Sequence, residues 1–424
     1  MVDEQHGIII VGGGQAAIEA AFSLRAQGCT ARIRVLAEQD ALPYQLPPLS
    51  KGFLLGTAAP ESMHLRTEKA YQDQKIELLR GARAVSLDTA GKAITLSDGT
   101  ALRYQTLILA TGGRARTFPA AFGPLHEAVN FSYLRTLADA TRIAGQLVAG
   151  SHLAIIGGGY IGLEIAAAAR AKGVRVTLVT DTERILERVA AAPTAELVRA
   201  VHEQQGVRIL TSARVRDISL ATDGQRVTAI DCEDGSHIEA DHFIAGIGLV
   251  PNDGLAAEAG LRVDDGVLID EHMRTSDASV YAIGDCARFE HPRYGRALRI
   301  ESVPNAIEQA RRVAAVLCEK PVRPYGLPWF WSDQYDMALK IAGLPFDYDQ
   351  VVVRGEPDPA APSLAVFYLR DSVAVAVETI NRVAEFGAAR QLITLEVPVA
   401  AAHLADDSIP LKELLQAARA SAET

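Results

Sequence analysis

The run Gly12-Gly13-Gly14-Gln15-Ala16-Ala17 has the residue types and spacing to hold a phosphate group. It follows Gly7 to Val11, a short β-branched stretch that reads as a buried strand, and it opens an apolar helical pattern through Ile18, Ala21, Phe22 and Leu24. Read as GxGxxA, Gly12 permits a tight strand-to-helix turn and Gly14 lets the backbone approach a pyrophosphate. The small Ala17 allows helix and strand to pack closely. The unpaired N–H groups and positive dipole end of the helix would then face the phosphates. A second strand, Arg32 to Ala37, ends in Glu38, where a carboxylate can accept hydrogen bonds from ribose hydroxyls.

The same unit recurs further along. Leu153 to Ile156 reads as a strand, followed by Gly157-Gly158-Gly159-Tyr160-Ile161-Gly162-Leu163-Glu164 and an alanine-rich helix. Gly157, Gly159 and Gly162 complete a GxGxxG, and Ile161 lies within the same turn as a further expected nucleotide contact. Two complete fingerprints in one chain imply two dinucleotides. The next strand, Val174 to Val179, ends in Thr180-Asp181, with Arg184 three residues later. A carboxylate here binds free ribose hydroxyls and repels a 2′-phosphate, so Asp181, with Glu183, favours NAD over NADP. Arg184 is placed to stack on adenine or meet a phosphate.

Further elements must position these turns. Leu107 to Leu109 is an apolar strand running into Ala110, Thr111, Gly112 and Gly113, and Phe243 to Gly248 repeats the pattern after the second unit. Both read as crossing strands that join two nucleotide domains, with Thr111, Gly112 and Gly248 in the turns. Ser279 to Ala282 leads into Gly284-Asp285. The Asp285 carboxylate can accept a hydrogen bond from a ribityl chain, and a helix is expected to start directly after it.

The 424 residues are more than one compact core usually serves, so two or three domains are expected. Apolar residues make up 49% and charged residues 22%, an ordinary globular balance. Charge −10 argues against nucleic acid and anionic membrane surfaces as partners. The start, with Asp3, Glu4 and Gln5 before a short apolar run, lacks the pattern of an export signal, and a cytoplasmic protein is expected. Four cysteines (Cys29, Cys232, Cys286 and Cys318) form no CxxC or similar pair, so neither a metal site nor a local redox dithiol is expected.

With these motifs the chain resembles the FAD-dependent ferredoxin reductases of bacterial cytochrome P450 systems. The likeness extends beyond the glycine turns to Leu46-Pro47-Pro48-Leu49-Ser50-Lys51, Ala245-Gly246-Ile247-Gly248, Arg299 to Asn305, and Pro328-Trp329-Phe330-Trp331-Ser332-Asp333-Gln334-Tyr335. It implies an α/β fold of two Rossmann-like dinucleotide-binding domains, glutathione-reductase-like, plus a C-terminal α/β cap domain. The expected boundaries are 1–116 and 243–324 for the FAD domain, 117–242 for the NAD domain and 325–424 for the cap. By similarity, Ala16, Glu38, Lys51, Ala84, Arg135, Asp285 with Gly284, and Val303 would hold FAD. Tyr160 would lie against the isoalloxazine where nicotinamide enters, and Glu164 would sit near Lys51. Trp331 would shield the flavin from the cap side. The family pattern carries an acid where this chain has Thr180, which leaves that contact to Asp181.

The implied reaction takes a hydride from NADH to FAD and passes electrons singly to a [2Fe-2S] ferredoxin, and so indirectly to a cytochrome P450. The protein would act as a monomer or weak dimer. A cation such as Lys51 beside a flavin would favour its reduced, anionic form. An acidic ferredoxin needs a locally basic face, for which Arg311, Arg312, Lys340, Arg390 and Lys412 are candidates. Lack of a vicinal dithiol excludes glutathione-reductase-like chemistry, and Ala41 to Gly56 holds no cysteine of the peroxidase kind. A dioxygenase or rubredoxin system remains an alternative setting for the same reductase. An apoptosis-inducing-factor-like binding protein is the alternative of another class, and it fits the acidic charge poorly.

Overall fold

The computed structural model describes residues 6–422; Asp3, Glu4 and Gln5 lie outside the described residues. The chain folds as two compact units. One comprises the segment up to Gln45 with Ala59–Arg114 and Leu249–Pro328. The other comprises Leu46–Ala58, Ala115–Gly248 and the segment from Trp329 onward.

The first unit is built on a parallel five-stranded sheet in the order Val280–Ala282, Thr106–Leu109, Ile8–Val11, Ile33–Ala37, Ile76–Arg80. Parallel strands must be covered on both faces, which is why Ile8–Val11 and Ile33–Ala37 are buried at every position. Helices Gln15–Ala26 and Val303–Leu317 cover one face through Ile18, Leu24, Ala310 and Val313. Leu87, Ile94 and Leu96 of a small antiparallel sheet cover the other. The order places Ile8–Val11 at the point where the connections diverge to either side, the position at which open α/β sheets bind ligands.

The second unit repeats the design. Its parallel sheet runs Val207–Leu210, Arg175–Val179, His152–Ile156, His242–Ala245, Phe131–Tyr133, again with the glycine turn leaving the central strand. The helix Tyr160–Ala171 lies on one face, and the antiparallel strands Val215–Leu220 and Val227–Cys232 supply apolar side chains to the other. The carboxy-terminal part is a five-stranded antiparallel sheet with helices, as the fold class requires. Its Leu339, Ile341 and Val366 share one apolar core with Leu163, Val198 and Leu54. Leu54 lies in the short helix Gly52–Leu55 that directly follows the Pro-Pro-Leu-Ser-Lys segment, and so anchors the end of that segment in this unit. Among the described residues no helix is long and apolar enough to cross a membrane.

Candidate nucleotide and electron-transfer site

Both glycine turns have the geometry their spacing demands. Gly12 sits at φ +132°, where a Cβ would lie 2.1 Å from the Ala110 carbonyl oxygen; Gly157 sits at φ +116°, 2.3 Å from that of Gly246. No larger residue fits either turn. Gly14 and Gly159, by contrast, have ordinary φ and open space within 4 Å of a Cβ. They are also the N-caps of helices Gln15–Ala26 and Tyr160–Ala171, and neither helix has a side-chain cap. First-turn N–H groups with no side-chain acceptor, facing open space, fit the pyrophosphate of a dinucleotide.

In the first unit Ala16 and Ala17 are buried, and Ala16 lies under Gly284, whose own Cβ would come within 2.9 Å of it. Thr111 Oγ1 donates to the Asn252 carbonyl at 2.6 Å, and Asn252 donates back to the Thr111 carbonyl at 2.9 Å and to that of Gly112 through its N–H at 2.9 Å. Glu38 is exposed at the strand end, 3.5 Å from Arg83, and Ala84 starts the neighbouring strand Ala84–Asp88. The Gly284-Asp285 expectation is corrected in one respect. No helix follows it; Gly284–Cys286 is a single 3-10 turn running into the strand Ala287–His291. The helix that meets this turn begins later, at Val303, capped by Ser302. From it Gln309 accepts the Gly284 N–H at 2.7 Å.

In the second unit the decisive feature is Glu164, which is only 5% exposed, far from the end of an open helix turn. Its Oε2 accepts from Lys51 Nζ at 2.7 Å and Ser50 Oγ at 2.5 Å, and its Oε1 accepts from Ser332 Oγ at 2.5 Å. Two sequence-remote motifs therefore converge on the carboxylate of a third. Tyr160 opens the same helix, packs edge-on against Phe330 at 4.5 Å, and donates to the Val189 carbonyl at 3.3 Å. Burial, with Glu378 and Glu164 nearby, pushes its phenol well up, so it stays protonated. Ile161 next to it is exposed, unusual for an isoleucine beside a glycine turn. Trp331 lies 5.6 Å from Trp329 on the same strand. Arg135 directly precedes the Thr136–Asp139 capping box of helix Leu137–Gln146, and Gly248 accepts the Arg116 N–H at 2.9 Å.

The end of the strand Arg175–Val179 divides its residues. Thr180 is buried, with its hydroxyl 2.8 Å from that of Thr182, whereas Asp181 is exposed. Arg184 donates to the carbonyls of Ala190 at 2.9 Å and Glu187 at 3.2 Å. Both terminal nitrogens of its guanidinium are thus engaged within its own loop.

The basic candidates also separate. Arg311 pairs with Glu19 at 2.8 Å, and Arg312 lies over the Tyr325 ring at 3.5 Å. Arg390 stands over Trp329 at 5.4 Å and Phe386 at 5.7 Å, Lys340 is 5.8 Å from Phe386, and Lys412 is exposed. Sequence reasoning missed His202, Gln334 and Glu378, all buried. Burial pushes the Glu378 carboxyl up, against hydrogen bonds from Thr194, Tyr368 and the Ala191 N–H. It also missed that Cys29, remote in sequence, lies near Cys318, whose thiol is pushed up chiefly by burial and further by Cys29.

Residues 6–310 match the family model described as pyridine nucleotide-disulphide oxidoreductase, and residues 329–415 match the reductase C-terminal model. The chain belongs to the pyridine nucleotide-disulphide oxidoreductase family. It is 49% identical over 419 residues to putidaredoxin reductase CamA of Pseudomonas putida, covering 99% of each chain. It is 38% identical to rhodocoxin reductase of Rhodococcus erythropolis, covering 96% of this chain and 93% of the relative. Among solved structures, the reductase in the covalent putidaredoxin reductase–putidaredoxin complex superposes with a TM-score of 0.94 at 49% identity, covering 97% of this chain and 99% of that one.

Proposed function

We propose that the chain is an FAD-dependent NADH:[2Fe-2S] ferredoxin oxidoreductase that serves a cytochrome P450 monooxygenase in the cytoplasm. The observation that carries this reading is the pair of phosphate turns, each with an open glycine at an uncapped helix start. Support comes from the end-to-end likeness to putidaredoxin reductase. Bound FAD would supply the chemistry, taking a hydride from NADH and releasing the electrons one at a time.

The chain's own residues bind and orient. Gly12, Gly14, Ala16, Ala17 and Glu38 would hold the FAD adenylate and pyrophosphate, with Ala84, Thr111, Gly112, Arg135, Gly284, Asp285 and Val303 along the rest of the cofactor. Gly157, Gly159, Ile161, Gly162, Asp181 and Gly248 would hold NADH. The Lys51 ammonium, fixed by Glu164, would present positive charge to the reduced ring, while Tyr160 and Trp331 exclude water from its two sides. Residues 1–116 and 243–324 would form the FAD domain, 117–242 the NAD domain and 325–424 the cap.

The cysteines support electron transfer over disulphide chemistry. Cys29 follows the far end of the helix that Gly14 begins. At 1.5 Å per residue that is about 20 Å from the phosphate turn, and no CxxC or similar pair occurs in the sequence. Lys340 and Arg390, grouped on Trp329 and Phe386, are the preferred docking cations. The test is anaerobic mixing of the yellow protein with NADH, then with an oxidised [2Fe-2S] ferredoxin. Flavin bleaching followed by return of colour as the ferredoxin is reduced is expected. Bleaching without ferredoxin reduction would point to another acceptor such as rubredoxin.

A further inference from the structure

Behind Glu164 the second unit contains a row of buried polar side chains that the reaction does not require. Ser332, Gln334 and His202 are 0%, 3% and 0% exposed, so each bond among them must be made inside the protein. Tyr335 OH lies 3.4 Å from His202 Nδ1, and His202 Nε2 lies 2.8 Å from Gln334 Oε1. Gln334 Nε2 donates to Ser332 Oγ at 3.1 Å, and Ser332 Oγ donates to Glu164 Oε1 at 2.5 Å. The tyrosine ring also packs edge-on against the imidazole at 5.0 Å.

Each group in this row fixes the direction of the next. Burial keeps the Tyr335 phenol protonated, so it can donate to Nδ1. A neutral imidazole that accepts at Nδ1 carries its one proton at Nε2. That N–H selects the oxygen of the Gln334 amide and turns the NH2 end toward Ser332. Because Ser332 Oγ then accepts from Gln334, its single hydrogen goes to Glu164. We propose that Tyr335, His202, Gln334 and Ser332 form a one-directional hydrogen-bond relay that positions the Glu164 carboxylate against Lys51. All four are positioning residues, acting through Glu164. An amide in the row makes this a chain of aligned dipoles rather than a proton path. The relay rests on the reductase reading only for its effect on hydride transfer; its geometry stands without it.

Two measurements on the FAD-loaded protein test it. Histidine-selective 15N NMR, with the His202 signal assigned by its loss in His202→Phe, reads the tautomer. A neutral ring protonated at Nε2 is expected, and a ring protonated at Nδ1 or at both nitrogens would overturn the relay. A double-mutant cycle in the rate of flavin reduction at saturating NADH then tests the coupling. Ser332→Ala removes a hydrogen bond to a charged group and should slow reduction roughly tenfold. Ser332→Thr, which keeps the hydroxyl, should restore it. His202→Phe should slow the parent about fivefold, yet have no further effect in the Ser332→Ala background. FAD content and NADH affinity should stay within twofold throughout. Independent, additive effects, or no effect of either substitution, would refute the relay. Failure of the unaltered protein to bleach with NADH would instead refute the reductase reading, leaving the tautomer measurement to judge the relay.

Discussion

Replacing Gly159 by alanine separates what the fold needs from what a bound nucleotide needs. A Cβ there meets nothing within 4 Å, and φ −83° suits any residue. The only folding cost is the poorer N-cap of helix Tyr160–Ala171, roughly 0.5–1 kcal/mol. A pyrophosphate held by the turn's N–H groups would occupy the space of that methyl. Displacing it forfeits two charge-assisted hydrogen bonds of about 1.5–2 kcal/mol each. At 1.4 kcal/mol per decade this is on the order of 10²- to 10³-fold in NADH affinity. Gly157→Ala, with its Cβ 2.3 Å from the Gly246 carbonyl oxygen, should instead lose stability by several kcal/mol, above the ~1–3 kcal/mol of backbone strain alone. The assay pairs urea unfolding with NADH titration of flavin bleaching under anaerobic conditions. A Gly159→Ala protein of near-normal stability that binds NADH as the parent does would refute the placement of the pyrophosphate.

Other perturbations read separate parts of the account. Burial holds the His202 imidazole down to about 4, whereas in the unfolded chain it ionises near 6.5. Between these values the unfolded state binds the extra proton, so stability is retained above pH 6.5 and falls as pH drops toward 4. The loss is about 3 kcal/mol at 1.36 kcal/mol per unit. Urea midpoints at pH 7 and 4.5 should show it, and His202→Phe should remove it; an unchanged pH dependence in that variant would contradict the assignment. Glu164→Gln leaves the largely buried Lys51 without its counter-charge and should cost about 2–4 kcal/mol in urea unfolding. Equal stability would mean that the pair contributes nothing. Asp181→Asn should weaken NADH roughly tenfold. Arg184→Ala should leave the NADH-to-NADPH preference unchanged, because Arg184 is committed to the Ala190 and Glu187 carbonyls; a shift toward NADH would restore the phosphate role for it.

The parts legible in the sequence were those governed by local rules. The two glycine turns declare themselves because only glycine fits where a Cβ would meet the Ala110 or Gly246 carbonyl, and short β-branched runs mark buried parallel strands. Long-range convergence was not legible by such rules. Nothing near Ser332 in the chain announces that it meets Glu164, and Cys29 and Cys318 are far apart in sequence although Cys29 helps to raise the Cys318 thiol. His202 offered one signal, a polar residue on the apolar face of helix Ala192–Gln204, but its partners come from another sheet. The helix expected after Asp285 failed because a glycine–aspartate turn satisfies its backbone equally by leading into a strand.

The central claim is most directly tested by anaerobic stopped-flow mixing of the protein with NADH or NADPH, followed by an oxidised [2Fe-2S] ferredoxin. The account predicts rapid flavin bleaching by NADH, little by NADPH, and stoichiometric ferredoxin reduction at two ferredoxins per flavin. Preference for NADPH would contradict the role given to Asp181, and absence of bleaching by either nucleotide would contradict the reductase account as a whole.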